Sequence, residues 1–316
     1  MRMAAAGGLA GSLAIALAWL ALAGCAADAP PAADPAATEA DAAYAREEAA
    51  WRAARERSLL ADDGWTTLVG LHWLSLPAHH LGNGERIGID LRFGPPRLGL
   101  VQQAGDTVYF TPEHGVAVAL DGEPVRGRVA LRSDRDAAPT RLAFDQGKGE
   151  LTLIERGGRR ALRVRHADAP ARVRFAGLRF WEPDRGWRVP ARFVPHPPGR
   201  TLEIVNILGQ TEAMPNPGAV EFERDGRTWR LEAIGDGDGL FLMFADGTSG
   251  HGSYGAGRYL DAAAPDADGR VTLDFNRAYN PPCAYTLHAT CPLPPSANRL
   301  RLPIAAGEQA YAGSAL

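Results

Sequence analysis

The chain has 316 residues, 22% of them charged and 46% hydrophobic, with a formal net charge of -3. That length suits one large or two ordinary domains. Lys and Arg are interspersed with Asp and Glu and never form a run, which argues against a nucleic-acid surface. The 36 glycines and 24 prolines favour many turns over long helices.

Export is written into the first residues. Arg2 is followed from Ala4 to Leu22 by an uncharged stretch of Ala, Gly, Leu and Ile with a single Trp19. A charged start, an apolar core and small residues before a cleavage point make a signal peptide. The ending Leu22-Ala23-Gly24-Cys25 resembles the bacterial lipobox. The resemblance implies that residues 1–24 are removed and that Cys25 carries lipid on its sulfur and its new amine. Two or more acyl chains anchor stably where one does not. Ala26, and not Asp, follows the cysteine. By the sorting pattern of Gram-negative lipoproteins, that implies the outer membrane, facing the periplasm. The expected partner is thus a membrane of the bacterial cell envelope, reached through Cys25. The alternative is an uncleaved apolar anchor.

Residues 25–40 are Ala, Pro and acid without an apolar pattern and read as a flexible linker. A helix is expected over residues 41–62, rich in helix formers and capped by Thr38. Glu48, Arg52 and Glu56 stand four apart as intrahelical charge pairs, and Tyr44 and Trp51 mark a narrow apolar stripe.

From Gly64 the period falls to two. Residues 151–165 alternate around Gly157-Gly158, and residues 219–234 alternate around Asp225-Gly226; both read as hairpins. Short strands are expected at 172–175, 187–189, 202–205, 240–244, 271–275 and 300–302. Strands this short, separated by Gly and Pro, predict a mainly β protein. It would hold two antiparallel sandwich- or barrel-like regions, 63–170 and 171–316, behind one N-terminal helix. Asp236-Gly-Asp238-Gly and Asp266-Ala-Asp268-Gly read as turns, since neither continues into an EF-hand ligand set. Gly84-Glu-Arg-Ile-Gly-Ile-Asp-Leu91, with Leu120-Asp-Gly-Glu-Pro-Val125 later, resembles the forkhead-associated sandwich, a phosphothreonine-binding fold. The Ser and His that family has after its first motif are absent, with Arg97 and Leu98 standing near there, so its phosphopeptide binding is not implied.

Chemistry concentrates in the C-terminal region. Asp246-Gly-Thr248-Ser249-Gly-His251 leads to Tyr254 and Arg258, then to Asp274-Phe-Asn276-Arg277-Ala-Tyr279-Asn280-Pro-Pro-Cys283. Cys291-Pro-Leu-Pro-Pro295, Asn298-Arg299-Leu300 and Gly307-Glu308 follow. These segments resemble an uncharacterised bacterial family known only as domain of unknown function 1684. Asp63-Gly64-Trp65 and Gly70-Leu-His-Trp-Leu74 extend the likeness. It implies a shared fold and brings no activity with it.

Asp274 and Asn276 share one face of a strand that must end at Asn280-Pro-Pro, because proline cannot donate to a ladder. Carboxylate, amide, guanidinium and phenol are thereby gathered. Arg258, Asp274, Asn276, Arg277, Tyr279 and Asn280 are the candidate binding residues for a small or anionic ligand, with the arginines as anion forks. Asp274 or Glu308 is the candidate general base of a competing reading, an envelope hydrolase. A third reading is a buried polar network in a structural or assembly lipoprotein. With Cys25 assigned to lipid, Cys283 and Cys291 are expected to form a disulfide in an oxidising compartment. A metal held by them and His288 is the alternative, but the spacing is not CxxC or HxxxH. His79-His80 has no third ligand in view. No GxSxG, P-loop, dinucleotide fingerprint or HExxH occurs, so no cofactor and no metal are expected.

Overall fold

The structure is a computed structural model that describes residues 35–235 and 238–313. The signal segment, Cys25 and the first part of the linker lie outside the described residues, as does part of the Asp236–Asp238 turn. The chain is mainly β, with several antiparallel sheets behind one N-terminal helix.

Helix α1 runs from Pro35 to Leu60 and so takes in the end of the expected linker. Thr38 lies inside it and is not its cap. Proline opens it because the first helical position needs no N–H donor. Residues 44, 48, 52, 55 and 59 fall on one face at helical spacing. That face carries Tyr44, Glu48, Arg52, Arg55 and Leu59, so the helix docks mainly through polar groups.

The first β region holds eleven strands. They are β1 (Leu68–Trp73), β2 (Ala78–Gly82), β3 (Ile89–Asp90), β4 (Gly99–Ala104), β5 (Thr107–Pro112) and β6 (Ala119–Leu120). They continue as β7 (Glu123–Pro124), β8 (Val129–Leu131), β9 (Arg141–Phe144), β10 (Gly149–Arg156) and β11 (Arg159–His166). A six-stranded sheet, β1-β11-β10-β9-β6-β7, faces a five-stranded one, β3-β2-β4-β5-β8. Leu81, Val101 and Phe110 of one sheet pack with Leu142, Leu151, Leu162 and Val164 of the other in a closed core. The two sheets form a sandwich.

A short helix, α2 (Pro170–Val173), replaces the strand expected at 172–175; Pro170 starts it at a helix-compatible φ. The second β region then comprises β12 (Arg188–Pro195), β13 (Thr201–Val205), β14 (Thr211–Pro215), β15 (Gly218–Arg224), β16 (Arg227–Ala233), β17 (Gly239–Phe244), β18 (Arg258–Ala263) and β19 (Arg270–Asp274). The sheet β16-β15-β12-β19 packs on the β17–β18 hairpin around Val220, Phe222, Leu242, Phe244, Leu260 and Phe275. No strand forms at 300–302; only an isolated bridge joins Arg299 to Ala245.

Both predicted hairpins turn on two residues with positive φ, 55° and 70° at Gly157 and Gly158, and 52° and 70° at Asp225 and Gly226. Such a turn matches the twist of the strands it joins. The Asp266 loop is likewise a turn, its carboxylate accepting from the N–H groups of Asp268 and Arg270.

Candidate functional site

The sequence-derived residues do converge, but under α1 and not on an open concavity. Arg258 is the most deeply placed, with its side chain 1% exposed. Its guanidinium donates to Asp246 Oδ2 at 2.6 Å, to the Ile304 carbonyl at 2.8 Å and to the carbonyls of Ala306 and Glu308. Burial pushes this group down and Asp246 opposes the shift. Arg258 is therefore a tie between β18 and the C-terminal segment, unavailable to a ligand.

Its neighbours are equally committed. Asp274 accepts from the Tyr44 hydroxyl at 2.9 Å and from the Asn276 amide at 3.0 Å. Asn276 exchanges hydrogen bonds with the backbone of Asp184 at 2.8 and 2.9 Å. Arg277 donates to Glu48 at 2.7 Å and also to Glu47, both on α1. Tyr279 donates to Asp261 at 2.9 Å, and burial, the largest cause, pushes its phenol well up. Asn280 donates its side-chain N–H to the Gln309 carbonyl. Glu308, wholly buried, receives Arg55 Nε, the Asn280 N–H and the Tyr285 hydroxyl, each at 2.8 Å.

The two candidate bases, Asp274 and Glu308, are thus already engaged by donors, among them Tyr44 and Arg55 of α1. A general base needs a free lone pair within hydrogen-bond reach of its substrate. Glu48, Arg52 and Glu56 likewise turn to the body and not to one another, meeting Arg277, the Trp181 carbonyl and the Leu178 N–H. Arg55 completes the closure, stacked 4.6 Å from the Tyr279 ring centre.

The open space lies elsewhere, between the two β regions. A cavity of about 450 Å³ is walled by Trp65 and Arg163 on one side and by Ile204, Met214, Phe241 and Tyr259 on the other. Its size is that of a small-molecule site. Alternation along β11 turns Leu162 and Val164 into the sandwich core and Arg163 and Arg165 out toward the second region. Arg165 is satisfied by the Gly64 carbonyl at 2.7 Å and by Thr67. Of the other guanidinium groups on the wall, Arg156 pairs with Asp134 at 2.7 Å and Arg135 pairs with Glu212 across the cleft.

Arg163 differs from all of these. Among the described residues its guanidinium has no ion pair and no hydrogen bond, and its buried Nε is unpartnered. Burial, with Arg156 and Arg165 nearby, pushes it down to about 10. Arg135, Arg156 and Arg163 face Asp134 and Glu212, three cations against two anions, leaving one positive charge on a largely apolar wall. The alternating arginines of residues 159–165 were the visible signal of this; periodicity alone reads them as a solvated face.

The expected Cys283–Cys291 disulfide is present, with Cα atoms 6.1 Å apart. The loop it closes lends Ala289, Thr290 and Cys291 to this cavity. The same loop lends Tyr285 and His288 to a second space of about 680 Å³ that also meets Arg92 and Arg174. Those two arginines are exposed to solvent, so they offer no comparable buried charge. Among the described residues, no group of three or more His, Cys, Asp and Glu could hold a metal ion. Replacing both cysteines by serine should cost about 2.5 kcal/mol by loop entropy. Urea melts of the oxidised protein and the double variant will measure it, and ligand affinity in the cleft should fall with it.

No curated protein matches the chain. A solved structure does: the solution NMR structure of the uncharacterized protein from gene locus rrnAC0354 of Haloarcula marismortui. It is 36% identical over 44% of this chain and 78% of its own, with a TM-score of 0.37. The model of the family described as protein of unknown function (DUF1684) matches residues 173–309, the stretch from the end of α2 through Glu308 that holds the polar cluster. The chain belongs to that family through this region, with α1 and the eleven-stranded sandwich preceding it.

Proposed function

We propose that the protein is a tethered envelope lipoprotein that binds a small monoanion with an apolar body, held in the cleft between its two β regions. The observation that carries this reading is Arg163, a half-buried guanidinium beside Trp65 whose buried Nε has no partner and which has no counter-ion among the described residues. Even a partly buried cation without a counter-ion is costly, and the cost falls when an anion docks on it. A strongly perturbed group in a pocket is a functional candidate for this reason. The single unmatched charge favours a monoanion, and the aromatic and aliphatic walls favour a hydrocarbon or aromatic body over a sugar.

The tether rests on the Ala4–Leu22 run and Cys25. An oxidised Cys283–Cys291 pair fits an extracytoplasmic compartment. The polar cluster then has a supporting role: it fixes α1, and with it the chain leading to the membrane, onto the second β region.

Titration calorimetry with decanoate, decanol and decylammonium tests the reading. Decanoate should bind and the other two should bind at least about tenfold more weakly, a difference of about 1.4 kcal/mol. Equal binding of all three, or none of decanoate, phenylpropionate and indoleacetate binding, would sink it.

A further inference from the structure

One wall of the cleft ends in an apolar tip. The β13–β14 hairpin contributes Ile204, Asn206, Gln210 and Met214 to the cavity, and just beyond them Val205, Ile207 and Leu208 are 43%, 40% and 45% exposed. Three exposed aliphatic side chains within four positions are unusual on a surface this short.

The tip is held firmly. Asn206 Oδ1 accepts from the N–H groups of Leu208 and Gln210 at 2.9 and 3.0 Å, and Gly209 takes a φ of 77°. The Ile207 N–H reaches the Cys291 carbonyl and the Leu293 N–H reaches the Val205 carbonyl, both at 2.8 Å. The aliphatic groups are therefore presented by a braced turn.

Cations stand beside them. Gln210 Nε2 donates to the Arg156 carbonyl, which places the tip against the β10–β11 turn. That turn carries Arg159, exposed and without an ion pair among the described residues, its guanidinium 4.5 Å from the Trp73 ring centre. Arg160 follows, paired to Glu155 at 3.0 Å. Exposed aliphatic side chains beside a turn that carries one unpaired arginine suit the boundary between headgroups and acyl chains, where the former enter and the latter meets anionic lipid.

We propose that the β13–β14 tip docks on an anionic lipid bilayer and sets the mouth of the cleft at its surface, so that the monoanionic ligand passes between bilayer and protein. The partner is a lipid surface and not a second protein because the turn that touches the tip carries the unpaired cation Arg159 and the adjoining cavity suits an amphiphile. This rests on the cleft reading for the ligand's path. The docking itself stands on the tip.

The test uses the full chain reconstituted in vesicles, with an environment-sensitive nitrobenzoxadiazole label on Leu208→Cys, and on Leu76→Cys and Val173→Cys as exposed controls. Phosphatidylcholine vesicles are compared with vesicles containing phosphatidylglycerol. The label at 208 should brighten severalfold and shift to the blue on the anionic vesicles, with little change at 76 or 173. No response at 208 on either vesicle, or an equal response at all three positions, overturns the docking. The double variant Ile207→Asp with Leu208→Asp keeps the two readings apart. It should bind decanoate in solution like the parent yet take it up from vesicles severalfold more slowly. Unchanged uptake refutes the portal, whereas loss of solution binding in the parent itself refutes the cleft.

Discussion

Replacing Arg258 by methionine should lower folding stability by about 3–5 kcal/mol, the usual penalty for breaking a buried ion pair by removing one partner. The substitution is close in volume, so little of the loss comes from packing. The main term is the Asp246 carboxylate, whose side chain is 0% exposed and would keep only the N–H and hydroxyl of Thr248. A second term is the set of carbonyls at Ile304, Ala306 and Glu308, which Arg258 gathers into one end of the C-terminal segment. Buried acceptors left without a donor cost about 1–3 kcal/mol each before relaxation. Urea denaturation followed by circular dichroism gives the number. Adding Asp246→Asn to the methionine variant should recover part of the loss, because the stranded charge is then gone while the orphaned carbonyls remain. A single-variant loss under about 1 kcal/mol would mean that Arg258 is not the tie described, since that is the range of exposed pairs.

Arg258 also shows which parts of this protein are legible in its sequence. The hairpins at Gly157-Gly158 and Asp225-Gly226 are local, and a two-residue turn with alternating flanks specifies itself. The concentration of Asp, Asn, Arg and Glu between 246 and 308 is visible, and so is its density of polar contacts. Its meaning is not, because the decisive partners come from α1, some 230 positions away at Tyr44 and Glu47. Nothing periodic links Glu48 to Arg277 or Arg55 to Glu308; the helix looks like one that pairs its own charges. Proline explains two smaller departures. Pro170 starts a helical turn where alternation suggests a strand. Pro294, Pro295 and Pro303 flank the Leu300 segment and hold it to an isolated bridge. The cleft is not legible in the sequence, since its two walls belong to different regions and each looks ordinary by itself.

Arg163→Met should move stability and binding in opposite directions. The guanidinium has no counter-ion among the described residues, and its folded value is pushed down to about 10. A base whose folded value lies below its unfolded one destabilises the fold wherever it is charged in both states, which here is every pH below about 10. Removing the charge at pH 7 should therefore raise the melting temperature, by about 2–4 °C if about 1 kcal/mol is recovered. The same change should weaken decanoate by about thirtyfold, since a desolvated charge pair is worth about 2 kcal/mol or more. Arg163→Lys keeps the charge without the planar fork, so it should fall between the two in affinity and stay near the parent in stability. A site that costs stability when empty is the mark of a residue kept for its ligand. A purely structural arginine gives the opposite pattern, with melting temperature falling and decanoate binding unaffected. The two measurements on one variant therefore decide whether the cleft is a binding site or a packing defect between two β regions.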